Sequence, residues 1–530
     1  MIIKNYNIIF LLFLSLFSIW INNIHGNIGI LPIDSFAFFD TAHSILLGKH
    51  PFKDFWITTG PFVDYLQALF FKVFGLKWFS YVIHASFFNL IITISSFVFF
   101  IKNKLNVFLS FFYALSISIL CYPVIGTPFA YHHAFILSII SLFVFVVAVK
   151  YKSNLAWFSL PTIMVLSFLS MQTPSAYINL VILFCSLLFF LDIKNIKLLK
   201  LFFFGSVIIL FVLILFFVLN KIPVLNFIQQ YILFPISIGA NRITGSEGAF
   251  VSLQDKLTFR GVIGHFKFIH LMILVTISAL VLKIKKDKKI LKDSNFICIL
   301  SIIISSYCFI FNQLVTANQT FIFSLIPIIA GFSHINIDYF FKKKFLVSIF
   351  LISVVSFSTV KYHYVYNEKR KFIDLQNYSL EKAIDASLID KKFNGLKWIT
   401  PTYYDDPLKE IELIIASINI LKKDRRKKMV ITNYQFLSLI LEEDTNLINR
   451  WYTHDNNSYP LKNHKYFNFY KKFINYSIKN NKIEVIYIID ASPEGGIQFS
   501  HFKNYLSDNC FESKDIIEEV VSSHKLINCK

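Results

Sequence analysis

The chain has 530 residues, 55% of them hydrophobic and 18% aromatic, with 62 Phe and a formal net charge of +20. A soluble chain averages about 45–50% apolar residues, so this one carries more apolar surface than a water-soluble fold can hide. Its excess of Lys and Arg does not point to nucleic acid, because no segment joins a basic face to aromatic platforms.

In chain order, eleven apolar stretches fall near 8–24, 78–101, 105–122, 132–149, 155–171, 174–191, 201–219, 266–282, 295–312, 317–335 and 345–360. Crossing a bilayer core of about 30 Å takes roughly 20 residues at about 1.5 Å each. The expected fold class is therefore an α-helical polytopic membrane protein with about eleven transmembrane helices, followed by a C-terminal extracytoplasmic α/β domain. The first stretch follows Lys4 and lacks small residues before a cleavage site around Ile24-His25-Gly26, so it reads as an uncleaved helix.

Basic residues cluster at alternate ends of these stretches. One side holds Lys4, Lys102, Lys104, Lys150, Lys152, Lys194, Lys197 and Lys200. It also holds Lys283, Lys285, Lys286, Lys288, Lys289, Lys292 and Lys342 to Lys344, against only Asp192, Asp287, Asp293 and Asp338. The positive-inside rule assigns that side, with the N-terminus, to the cytoplasm. Residues 1–360 then form a transmembrane domain with outer loops 25–77 and 220–265, and residues 361–530 an outer domain. Abundant Lys, Asn, Ile and Phe suggest an AT-rich bacterial genome and hence an inner (plasma) membrane.

Within loop 25–77, residues 34–47 predict a helix with Asp34 at its N-cap and Gly48 ending it. Residues 61–74 predict a second, with Pro61 in its first turn and Gly75 just beyond it. Loop 220–265 starts amphipathic (VLNFIQQYILF) and becomes irregular at NRITGSEGAF. In the tail, strands are expected at 396–400, 428–433 and 484–490, and helices at 407–423, 463–480 and 499–507. That alternation predicts a largely parallel sheet with its own core. Cys121, Cys185, Cys298 and Cys308 lie in or beside apolar stretches. Cys510 and Cys529 lie in the tail, where oxidation is permitted and pairing is left open. No CxxC or His/Cys array points to zinc.

The stretch 31–75 carries the chemistry: an early Asp34, then Gly48, Pro51-Phe52 and Asp54 in one turn, then Gly60-Pro61 opening a helix, then Tyr65. This order resembles the first outer loop of the GT-C superfamily of membrane glycosyltransferases, the group of lipid A aminoarabinose transferases and protein O-mannosyltransferases. The resemblance covers about 45 residues of motif, and the layout of many helices with an outer C-terminal domain is also similar. It implies an inverting glycosyltransferase that moves a sugar from a polyprenyl-phosphate donor to a lipid, glycan or protein acceptor at the outer membrane face. Asp34 matches the family's early Asp, which implies the catalytic base. A carboxylate beside an acceptor hydroxyl can take its proton. Ser35 stands where some relatives carry a second acid; a divalent metal is compatible with the site, but no ligand set follows from the spacing.

Around Asp34, Asp40 and Asp54 are candidates for a second acid or a supporting role, with Asp54 bracing its turn. Asp64 reads as a first-turn acid that complements the helix dipole. The leaving phosphate needs cationic partners. Arg242, Lys256 and Arg260 on the second outer loop are candidates, as is His133 at the outer mouth of its helix. Trp56 and Tyr65 either stack on a sugar or belong to an interfacial aromatic belt. Asn318 and Gln319 either bind sugar hydroxyls or cap a helix. The competing functions are a glycan polymerase or ligase, a transporter or flippase of lipid-linked saccharides, and a non-catalytic scaffold. A transporter should gather its polar groups at the bilayer midplane, whereas here they gather at helix ends.

Overall fold

The computed structural model describes residues 5–193, 195–245, 252–316, 322–340, 345–371, 375–376, 379–491, 496–506 and 511–527. Asn318, Gln319, Cys510 and Cys529 lie outside these residues. Among the described residues, eight helices are long and apolar enough to cross a membrane: Asn7–Gly26, Trp78–Lys102, Ala130–Tyr151, Gln172–Ile193, Ile196–Leu219, Lys267–Lys286, Ser294–Thr316 and Phe345–Glu368. The chain is a helical membrane protein. Three further expected spans appear as shorter apolar helices, Val107–Leu120, Asn154–Ser170 and Leu325–Ile337. At about 1.5 Å per residue each is shorter than the roughly 30 Å hydrocarbon core. The first of them is bounded sharply, because the Asn106 side chain accepts the Phe108 N–H and Pro123 follows its end.

Burial sorts the helices. Ala130–Tyr151 has 67% of its apolar window buried and sits at the centre of the bundle, whereas Ile196–Leu219 has 6%. The latter is apolar all round, with Phe203, Phe211 and Leu219 exposed, as expected of a helix facing hydrocarbon. It approaches Asn154–Ser170 closely at Gly205, where a Cβ would run into the Phe158 backbone; small residues at helix interfaces permit this approach in membranes.

The first loop departs from expectation at one place. Helix Pro61–Phe74 forms as its Pro and Gly signals predict, between Gly60 (φ 71°) and Gly75 (φ 90°). The expected helix 34–47 is instead two pieces, Pro32–Ser35 and Phe39–Leu46. Phe36, Phe38 and Phe39 are all fully buried. Successive helical side chains diverge by about 100°, so one continuous helix would leave part of this aromatic run outside the core, and the turn between the pieces takes all three inward. Asp34 therefore lies within the first piece and not at a helix N-cap. In the loop at 220–265 the backbone stays helical further than expected, through Phe234–Thr244, and Gly245 (φ 66°) ends it; residues 246–251 lie outside the described residues.

The tail carries a four-stranded sheet of β1 (Lys428–Thr432), β2 (Val485–Ile489), β3 (Phe511–Ile517) and β4 (Val521–Leu526), in the order β1-β2-β4-β3. Only β1 and β2 are parallel; β4 runs antiparallel to both β2 and β3. The sheet is therefore mixed, and its last hairpin was not expected. β1 and β2 are buried throughout, whereas β3 is largely exposed, so β3 lacks the apolar run of a central strand. Helix Pro407–Lys423 is capped by the Asp406 side chain, which accepts the Lys409 N–H at 3.2 Å.

One cluster of the tail is made almost wholly of its own residues, among them Met429, Ile431, Tyr470, Phe473 and Ile488, and a second is shared with the first loop. Phe36, Phe38, Phe39 and Trp78 pack in one cluster with Phe393, Trp398, Phe436, Val430 and Val485. Phe36 lies edge-on to Phe436 at 4.7 Å. Backbone ladders add to this: Gly29 and Ile30 donate to the carbonyls of Lys397 and Ile399, and Trp56 donates to that of Ile448. Loop and tail form one body on one side of the bundle.

Candidate functional site

Between that loop and the tail lies a cleft of about 410 Å³, within the range of about 300–1,000 Å³ typical of small-molecule sites. Leu31, Pro32 and Ile33 form one wall. Glu410, Tyr434, Tyr452, Asp455, Asp490 and His501 are among the tail residues opposite. Its floor follows from the sheet: Asn433 and Tyr434 come directly after β1, and Asp490 directly after β2. Open α/β sheets bind ligands outside the carboxyl ends of their parallel strands, and this cleft lies at that edge.

The polar groups of the cleft are held firmly. Glu410 is buried and accepts from the Trp398 indole (2.8 Å), the Thr400 hydroxyl (2.8 Å) and the Tyr434 hydroxyl (2.7 Å). Burial pushes its carboxyl pKa up, against those donors. With its lone pairs so occupied, Glu410 is a fixed acceptor that orients Tyr434. Asp490 accepts the Ile497 N–H at 2.7 Å. Asp455 accepts the Thr453 hydroxyl and the Asn457 N–H, fixing the loop at 453–458. The rings of His454 and His501 stack at 4.0 Å and 11°, and burial lowers both pKa values. Among the described residues no Lys or Arg lines the cleft. Such a surface suits hydroxyl groups and lacks the forked or cationic donors that a phosphate requires.

Asp34 follows directly on the wall residues Leu31 to Ile33 and is half-buried. The Trp451 indole donates to the Ile33 carbonyl at 2.9 Å and pins this segment to the tail. The other acids of the loop brace it. Asp40 is buried, and its carboxylate accepts the N–H groups of Ser438 (3.1 Å) and Leu439 (3.2 Å) at the start of helix Leu437–Leu441. Desolvation lifts its pKa to about 7. Asp54 accepts the His50 N–H at 2.8 Å and closes its own turn. Asp64 is more than a first-turn acid: it forms a fully buried ion pair with Arg450 and accepts the Thr41 hydroxyl at 2.6 Å. Burial drives its carboxyl up to about 6, against the pull of Arg450. Arg450 also reaches the Thr59 carbonyl and lies 4.2 Å over the Phe38 ring. Sequence reasoning assigned Arg450 no such role, because an ion pair 386 residues apart in the chain leaves no local signature.

The remaining candidates spread out. Arg242 donates to Asn457 at 2.8 Å, on the loop whose other members wall the cleft. Lys256 is half-buried and Arg260 exposed, both on the second loop. His133 is fully buried in the bundle, 2.8 Å from the Tyr122 hydroxyl and 2.9 Å from His84. None of these four residues, nor Asp34 itself, lines the cleft. Trp56 is spent on packing: its indole donates to the Ser458 carbonyl at 3.1 Å and its ring meets Tyr470 edge-on at 4.9 Å. The Tyr65 hydroxyl lies 2.9 Å from His50.

No protein-family model matches the chain, and no curated protein matches its sequence. The site therefore stands on its own geometry.

Proposed function

We propose that this protein is a membrane glycosyltransferase that moves a sugar from a polyprenyl-phosphate donor to a hydroxyl of a lipid, glycan or protein acceptor. The observation that carries this reading is the cleft built jointly by the Asp34 segment and the carboxyl ends of β1 and β2. It is acidic, hydroxyl-binding in character and adjacent to a half-buried carboxylate. In this reading the three shorter apolar helices cross a bacterial inner membrane together with the eight long ones, the bilayer thinning locally around them, with the N-terminus cytoplasmic and the cleft outside. The alternating Lys-rich ends support that orientation.

The acceptor occupies the cleft and presents its hydroxyl beyond the wall of Leu31 to Ile33, to Asp34 as the next residue. Asp34 takes the hydroxyl proton as the oxygen attacks the anomeric carbon, and the bond from that carbon to the phosphate oxygen breaks. Polyprenyl phosphate leaves with the electron pair, and the configuration inverts. Because no Lys or Arg among the described residues lines the cleft, the leaving phosphate is held outside it, by Arg260 and Lys256 of the second loop, while Arg242 fixes the loop at 453–458. Asp40, Asp54 and the Asp64–Arg450 pair hold the Asp34 segment in place.

The test is to reconstitute the purified protein in liposomes with a panel of radiolabelled polyprenyl-phosphate sugars and crude envelope acceptors. The reading expects label to leave one donor and to appear in an acceptor with release of polyprenyl phosphate. Donors that stay intact, or that cross the bilayer without cleavage, would count for a transporter instead.

A further inference from the structure

A second constellation lies apart from the cleft, where the bundle meets the loop and tail. His25 sits at the end of the first long helix, His363 at the end of the last, and Glu368 one turn later in a π-helical segment. Their ligand atoms all lie within 4.8 Å of one another, and among the described residues no other group of three or more His, Cys, Asp or Glu does this. The two imidazole rings stand 5.0 Å apart at 77°, and His363 Nε2 is 4.0 Å from Glu368 Oε1.

We infer that His25, His363 and Glu368 form a zinc site that ties the first helix to the last. Two imidazoles and one carboxylate are a donor set that zinc takes, with a fourth position left for water. Zinc bonds of about 2.0–2.2 Å place tetrahedral donors roughly 3.4 Å apart, so the three groups need to close by about 1 Å. The elements differ in how freely they move. His25 is held by the close approach of the next residue to Gly126, where a Cβ on Gly26 would meet the Gly126 carbonyl at 2.6 Å. Glu368 is 54% exposed and free to rotate inward. The Asn367 side-chain amide lies 3.3 Å from His363 Nδ1; turned so that its oxygen faces that nitrogen, it would accept the Nδ1–H and leave Nε2 for the ion, as the outer partners of metal-bound imidazoles do. The ion would then fasten the base of the ladder that joins residues 27–30 to Lys397 and Ile399, which is the connection between the membrane bundle and the cleft. The inference does not rest on the transferase reading.

The test uses the full-length protein, tag-free and in nanodiscs, stripped by chelator. Zinc is titrated against a chromophoric competitor, and cobalt is loaded in parallel for its visible absorption. The expected result is one zinc per chain, a cobalt spectrum of low coordination number, and at least about tenfold weaker binding in His363→Ala and in Glu368→Gln. The second variant changes an exposed side chain and so reports even where the first fails to fold. His454→Ala and His501→Ala, in the cleft, should leave binding unchanged. Binding well below one equivalent, affinity unaltered by Glu368→Gln, or loss of binding in the cleft variants overturns the assignment.

Discussion

Replacing Arg450 by Met removes the cation paired with Asp64 at a position where neither side chain has exposed surface. An exposed ion pair is worth about 0–1 kcal/mol, but breaking a buried one leaves an uncompensated charge and costs about 3–5 kcal/mol. The perch over Phe38 at 4.2 Å is lost with it. Such a cost should raise local opening of residues 60–66 and 446–452 by roughly 10²- to 10⁴-fold, which amide hydrogen exchange in detergent reads directly. Removing both charges, as Asp64→Leu with Arg450→Met, should recover much of the loss, because apolar replacement of a whole buried pair is often neutral. What remains is about 1–3 kcal/mol for the stranded Thr59 carbonyl and Thr41 hydroxyl. A change below about tenfold in the single variant, or a double variant no better than the single, would refute the claim that this pair docks the tail.

Two further outcomes follow from the same geometry. Because the folded pKa of Asp40 stands near 7, above its ordinary 3.8, the folded state binds the proton more tightly; docking stability should fall as pH rises from about 4 to 7, and Asp40→Asn should flatten that slope in thermal melts taken across the range. Gly126 has φ 76°, and a Cβ there would meet the Gly26 Cα at 2.5 Å, so Gly126→Ala should lower the melting temperature; Gly239→Ala, in open space within a helix, should leave it level or raise it slightly, since Ala outranks Gly by about 1 kcal/mol in helix propensity.

Much of the bundle was legible because hydropathy and helical length are local properties. Pro61 and Gly75 bounded their helix correctly, and the helix expected over 407–423 spans Pro407–Lys423. The break after Ser35 was not legible, since only the aromatic partners Trp398 and Phe436, hundreds of residues on, decide where Phe36 must point. The same holds for the site. Asp34, Asp40 and Asp64 look alike in sequence; one meets helix N–H groups, one meets Arg450, and one stands beside the cleft wall. The cleft itself was invisible, because its tail residues become neighbours only through the parallel pairing of β1 with β2. Lys256 and Arg260 were picked out by running against the charge rule, a local signal, whereas the buried setting of His133 depends on Tyr122 and His84 together.

The most direct measurement is the initial rate of sugar transfer by reconstituted Asp34→Asn beside the wild type, at equal donor loading. A general base contributes about 10²- to 10⁴-fold, so the variant should retain at most about 1% of the rate while keeping its fold and its acceptor binding. A variant that turns over within about threefold of the wild type would contradict the account.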